Sequence, residues 1–393
     1  MNASRRQEFD IAPGEVYLNG AANSPLPTTA RQAIEEAWTL QATPSKIPFE
    51  SMFTYADEIR ERAGRALGLP THEMSVTTST TFGMMLLAQG LRWREGDRLL
   101  LGPDEFPSNV YPWLALEERG VRIRTVGRPG YPLTVEELMK ALDAGGRVRA
   151  LSIAAVHYRT GDVHPLGELA DVLHAHDAIL VVDGSQAAGA IAMDWRARGV
   201  DALAASGYKW LFGPYGTGIL WVRPELRDTL TNVNGNWLAV EGARDLTKLM
   251  VEQPRVFERH GRLLDAGEVA SYFSLSAFRA GLDLLVDVGV AAVEAHNRRL
   301  QDRAVAALDG APLRLVTHLD APSRSPMLMF EGLDGLDLRQ LEADLTARHI
   351  AVSLRAGRMR VSPGIWNDES DIAALAEAIR AEFRRSSAPL SFE

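Results

Sequence analysis

From Met74 to Val222 short β-rich runs alternate with helical runs, which predicts an α/β protein with a large, doubly wound, mainly parallel sheet of seven strands. Length is the second observation: 393 residues exceed one ordinary core, so two domains are expected. The third is a break in rhythm after Pro224, where a polar, irregular region leads into a long apolar-periodic run and then a compact mixture of strands and helices. The expected division is a large domain over residues 20–265, with 1–19 and 266–393 forming a small α+β domain.

Each element has its own signal. VYLNGAANSPLP reads as a short strand and a turn-rich loop, followed by helices through TTARQAIEEAWTL and YADEIRERAGRALG, the second stopped by Gly68 as a C-cap. SVTT is the first sheet strand and leads into a helix from Thr80. DRLLLG is the next, with PSNVYPWLALEERG expected as its helix. VRIRTVG, RALSIAAV, AILVVD, DALAAS and GTGILWV supply the remaining strands, with helices through VEELMKALDA and GELADVLHAHD. The apolar run from Tyr272 is long enough for two helices meeting near Gly289. Beyond Leu313, LRLVTH, PMLMFEG, IAVSLR and RMRVSP read as strands, and LRQLEADLTARH and DIAALAEAIRAEFRR as helices.

Composition narrows the function classes. Apolar content of 46% and charged content of 24% are those of a soluble globular protein. A net charge of −9 without a clustered basic stripe argues against a nucleic-acid partner. No apolar run approaches membrane-spanning length, and the N-terminus lacks a signal-peptide core, so a cytoplasmic protein is expected. The absence of cysteine excludes disulfides, thiolate metal sites and any step that uses an enzyme thiol. His174 and His176 lack a third ligand and read as a helix surface rather than a metal site.

The chemistry centres on Lys209, one of only four lysines. It follows the buried-strand pattern Asp201 to Ser206 and stands between Tyr208 and Trp210, whereas Lys46, Lys140 and Lys248 lie in loop, helical and polar contexts. The apolar run Ala178 to Val182 ends on Asp183. A carboxylate at one strand end and a lysine at the next suit pyridoxal phosphate, the lysine forming a Schiff base and the carboxylate holding the pyridinium proton. Such a carboxylate raises the ring nitrogen's pKa by roughly one to three units. Against this stands the reading of Asp183 as a helix cap and Lys209 as a surface charge. Gln186 follows Asp183 by three residues and can face the ring from the same turn, while Ser206 and Tyr208 bracket the lysine with hydroxyls suited to a phosphate. Ser79, Thr80 and Thr81 sit where a strand passes into a helix, a place for phosphate or merely for an N-cap. Phe106 ends another strand and can stack on a flat ring or pack on its own helix. Tyr158 follows His157 at a third strand end. Arg360 can fork onto a substrate carboxylate or stand as a surface arginine.

Together, in this order, these residues resemble the class V group of fold-type I pyridoxal phosphate enzymes, which includes cysteine desulfurases, isopenicillin-N-epimerase-like proteins and kynureninases. The resemblance runs from YLNGAANSPLP to VSPGIWND. It implies pyridoxal 5'-phosphate as cofactor, Lys209 as catalytic lysine, Asp183 and Gln186 at the ring, Phe106 stacked on it and Tyr158 beside it. Ser79 to Thr81, Ser206 and Tyr208 would serve the phosphate, and Arg360 the carboxylate of a small amino-acid substrate. It further implies a homodimer with active sites at its interface. Tyr208 replaces the histidine of desulfurases and, with YRTG, looks like kynureninase. Glu268 stands where the family often lends a threonine to the partner's phosphate. Because cysteine-less members of the epimerase-like branch, some in antibiotic or thiol biosynthesis, act on S-cysteinyl substrates, the resemblance implies carbon–sulfur β-elimination from a cysteine S-conjugate. Decarboxylation with oxidative deamination of such a conjugate, transamination, epimerisation and kynureninase-like hydrolysis are the alternatives.

Overall fold

The computed structural model describes residues 4–252, 256–258, 260–267, 271–320, 324–333 and 335–386; Glu268 lies outside them. After strand β1 (Val16–Tyr17), the chain builds helices Thr28–Gln41 and Ser51–Leu67, the latter capped by Gly68 in the left-handed region at φ 67°. The large sheet then forms from β2 (Met74–Thr77), β3 (Arg98–Leu101), β4 (Arg122–Thr125), β5 (Val148–Ala154), β6 (Ile179–Asp183), β7 (Ala202–Ser206) and β8 (Gly218–Val222). Its order is β2-β8-β7-β6-β5-β3-β4. β8 runs antiparallel to β2 and β7, and every other pair is parallel.

This sheet is covered on both faces, so its central strands carry no alternation of polar and apolar residues. All five residues of β6 are buried, Leu180 and Val182 in one core and Ile179 and Val181 in the other. That division follows the two-residue period of a strand. The stretch PSNVYPWLALEERG is not the single helix expected. Only Tyr111–Leu114 is α-helical, between 3-10 turns Pro107–Asn109 and Glu117–Arg119. Pro107 and Pro112 remove backbone donors that a continuous helix needs.

Beyond the sheet, helices Tyr272–Val288 and Val290–Ala307 meet at Gly289. A four-stranded antiparallel sheet follows, made of β9 (Leu313–Leu315), β10 (Leu328–Gly332), β12 (Ser353–Arg355) and β13 (Arg358–Val361) in the order β12-β13-β10-β9. β11 (Ile350–Ala351) lies just before β12 and pairs in parallel with β1, so the N-terminal strand joins this second unit. The sequence drew the domain boundary at residue 265, and the two long helices that follow divide between the two cores. Leu275, Phe278, Leu282 and Leu285 of the first long helix belong to the core of the large sheet. Leu300 and Ala304 of the second join the core beneath the small sheet. Val290 and Val293 at the start of the second helix still pack in the core of the large sheet, so we propose a boundary within that helix.

The first long helix also fixes the turn that follows β7. At Gly281 an added Cβ would lie 2.2 Å from the carbonyl oxygen of Phe212, a residue itself held at φ 53°. Gly281→Ala should therefore lower the thermal midpoint. Overpacking of this kind costs about 1–3 kcal/mol, outweighing the gain in helix propensity of about 1 kcal/mol. A melt equal to or above that of the parent chain would show that the turn yields freely.

Candidate active site

β6 and β7 are parallel neighbours with Asp183 opposite Ala204, and Asp183 is also opposite Ala154 of β5. The carboxyl ends of three central strands thus open on one place, as ligand sites in such sheets do. Asp183 is buried there, one oxygen accepting the Ser185 amide at 2.9 Å. After Ser206 the chain makes a tight turn closed by the Gly213 amide donating to the Gly207 carbonyl at 2.8 Å. Lys209 rides on this turn. Gly189 lets the turn approach, since a Cβ there would lie 2.2 Å from the Trp210 carbonyl oxygen.

Asp183 and Lys209 share the wall of an open cavity of about 910 Å³. Burial pulls the Lys209 amine down to about 8; Asp183 opposes that shift, and the charges of Arg360 and Arg355 add to it. Desolvation disfavours the charged form of an amine, leaving this lysine able to be a nucleophile or base near neutral pH. Its Nζ stands 5.8 Å from the Phe106 ring centroid and 5.7 Å from that of Tyr208. Phe106 is 43% exposed at the rim and meets Tyr158 with ring centroids 6.0 Å apart. Tyr208 stacks on Tyr215 at 4.3 Å.

A hydroxyl cluster forms a second side of the cavity. The Thr80 hydroxyl lies 2.9 Å from Ser206 Oγ and 2.6 Å from Ser185 Oγ, and the Thr80 amide donates to Ser206 Oγ at 3.1 Å. This cluster sits at the start of helix Thr80–Gly90. The three residues expected here separate. Thr80 lines the cavity, whereas Ser79 accepts the Phe82 amide as a helix cap and Thr81 lies off the wall, half-buried. Gln186 is on the wall, but its amide is occupied, donating to the Ala21 carbonyl at 2.9 Å and accepting from Trp210 Nε1 at 3.0 Å. His157 stays off the wall. It is buried against Thr160, and burial lowers its pKa.

Arg360 closes the cavity from the small sheet. It is 3% exposed, donates to Ser353 Oγ and Asn19 Oδ1, and has no carboxylate partner among the described residues. Burial, helped by the neighbouring charge of Arg355, brings it down to about 10. The reading as a surface arginine does not hold. Sequence reasoning passed over Ser185, Tyr215, Met327 and Arg355, all on the wall. Ser185 had a signal, lying between Asp183 and Gln186; Arg355 had none until the hairpin placed it.

The family model for class V aminotransferases matches residues 16–384. The chain belongs to the class V aminotransferase family. It is 27% identical over 388 residues to isopenicillin N epimerase of Streptomyces clavuligerus, covering 94% of this chain and 96% of that one. A probable cysteine desulfurase of Methanothermobacter thermautotrophicus is 24% identical over 399 residues, with 95% and 96% covered. Among solved structures, the apo cysteine desulfurase of Thermococcus onnurineus superposes with a TM-score of 0.83 at 19% identity, covering 97% of each chain. The cystine C-S lyase C-DES with its product cysteine persulfide gives 0.82 at 21%, covering 93% and 97%. A C-DES variant carrying glycine covalently linked to its PLP cofactor gives 0.84 at 20%, covering 95% and 98%.

The cofactor of this class V protein is pyridoxal 5'-phosphate. The cavity has the donor set the group requires: a desolvated amine, a buried carboxylate, an aromatic ring facing the amine and hydroxyls clustered at a helix start. Imine formation needs the neutral amine, so uptake of pyridoxal 5'-phosphate by the cofactor-free chain should accelerate as pH rises, with a midpoint near 8 rather than near 10.5. Borohydride should then fix the label on Lys209. Mass spectrometry that found it on Lys46, Lys140 or Lys248, or an uptake midpoint near 10.5, would overturn the assignment.

Proposed function

We propose that the protein cleaves the Cβ–S bond of a cysteine S-conjugate by β-elimination, with Lys209 as its catalytic residue. One observation carries this reading. The chain contains no cysteine to accept sulfur as a persulfide, and the cavity that holds Lys209 is open, so a substituent on the substrate's own sulfur can extend from it. The relationship to a cystine C-S lyase supports the bond type.

When bound, pyridoxal 5'-phosphate supplies the electron sink that makes a Cα–H bond labile. Lys209, held close to neutrality by burial, takes the Cα proton and can return one to the leaving sulfur. Asp183 would keep the ring nitrogen protonated, and Phe106 and Tyr158 would supply the aromatic surface for the ring. Thr80, Ser185 and Ser206, whose hydroxyls cluster at the helix start, would hold the phosphate with Tyr208 beside them, and Gln186 braces the wall through Ala21 and Trp210. Arg360 grips the α-carboxylate and so decides which Cα bond stands perpendicular to the ring. The products are the free thiol and a three-carbon fragment that takes up water to give pyruvate and ammonia. We further propose a cytoplasmic homodimer, whose second copy would cover the open rim where Phe106 and Tyr215 are 43% and 67% exposed. No helix among the described residues is long and apolar enough to cross a membrane.

The relationship to isopenicillin N epimerase supports a second reading, in which the Cα proton is returned to the opposite face. Incubation with S-alkyl cysteines separates the two. Equal release of thiol, pyruvate and ammonia supports elimination; inverted Cα without pyruvate supports epimerisation and removes elimination.

Arg360→Lys should raise KM and lower kcat together, reducing kcat/KM by about tenfold or more, because an ammonium cannot reproduce the two parallel bonds of a guanidinium fork. The cofactor absorbance should not change. Normal kinetics beside a lowered melting temperature would make Arg360 structural and remove it from the site.

A further inference from the structure

The hairpin of β12 and β13 turns through Ala356 and Gly357, at φ 50° and 77°, and its register sets Ser353 opposite Arg360 and Arg355 opposite Arg358. These four residues share one face, because strand side chains alternate. Three guanidiniums therefore point the same way, but only one is neutralised. Arg358 forms an ion pair with Glu331 at 2.6 Å and donates to the Arg159 carbonyl at 2.7 Å. Arg355 and Arg360 both line the cavity, and neither has a carboxylate partner among the described residues. Arg355 donates to the Leu354 carbonyl at 2.7 Å. Among the described residues the carboxylate on the cavity wall is Asp183, and it already accepts the Ser185 amide. Two like charges thus face one space, and the amino-acid α-carboxylate satisfies only one of them.

We infer that Arg355 is a specificity residue that recognises a second acidic group, carried on the side chain of the substrate. This rests on the reading that Arg360 takes the α-carboxylate. The diagonal offset of Arg355 from Arg360 across the hairpin, about 7–8 Å at the backbone, suits two carboxylates separated by a short chain. An S-(carboxyalkyl) cysteine has this form. Arg355 is half-buried, so a neutral side chain forfeits the attraction between opposite charges and a cationic one meets two like charges, which selects against both.

The test compares S-(2-carboxyethyl)cysteine with its side-chain carboxamide, which has the same shape without the charge. For the holoenzyme, kcat/KM should favour the acid by about tenfold or more. Arg355→Gln should bring the ratio towards unity, and Arg355→Lys, which keeps the charge but not the fork, should retain part of it. Calorimetric titration of the holoenzyme with glutarate and with its monoamide supplies a readout independent of turnover. Cleavage of both conjugates without preference, or a preference that survives Arg355→Gln, overturns the inference and leaves the lyase reading standing. If neither conjugate is cleaved but glutarate binds more tightly in an Arg355-dependent way, the lyase reading falls and the second acidic group stands. Absence of discrimination in both assays overturns both.

Discussion

Burying a lysine amine away from water removes most of the stabilisation of its charge, and a buried carboxylate nearby gives part of it back. This balance at Lys209 and Asp183 is what the rest of the site depends on. Desolvation is the larger influence, so the amine titrates near 8 and is available as a neutral group at ordinary pH. The same burial holds Arg360 at about 10 and makes its guanidinium costly to leave without an anion. The cavity is therefore primed on two sides, one with a reactive amine and the other with uncompensated positive charge.

The scaffold imposes this arrangement by close backbone approach rather than by side-chain bonds to the lysine. Gly189 and Gly281 each admit a carbonyl from the Lys209 turn to a distance that no Cβ would tolerate. The turn is thus gripped by the segment after β6 and by a helix beyond the sheet. The small sheet is bound in turn to the chain's start through β1 and β11 and through the Asn19–Ser362 bridge. Asn19 there receives the Arg360 guanidinium. The N-terminal segment, far from the lysine in sequence, thereby helps position the group that faces it across the cavity.

Much of this was legible in the sequence. The buried strands ending at Asp183 and Ser206 announced themselves by continuous apolar runs, and Lys209 by its place after the second of them. The seven-stranded sheet followed from the same rhythm. What was not legible came from register and packing. Whether Ser79 caps a helix or faces a ligand depends on the rotation of one turn, and here the side chain bonds the Phe82 amide. Arg355 became visible only when a two-residue turn set its strand beside Arg360. The helix from Tyr272 could not be assigned to a domain by periodicity, since both cores offer apolar partners. Pro107 and Pro112 were present to be read as helix breakers, and that signal was passed over.

We propose that Asp183 acts through its charge on the cofactor ring and not merely as an anchor. Asp183→Asn keeps the shape and the acceptor for the Ser185 amide while removing that charge. The decisive measurement is cofactor occupancy, by absorbance after gel filtration, beside single-turnover kinetics of the same preparation. Near-full occupancy is expected, with turnover reduced by about a hundredfold or more. Turnover equal to that of the parent enzyme at full occupancy would contradict it.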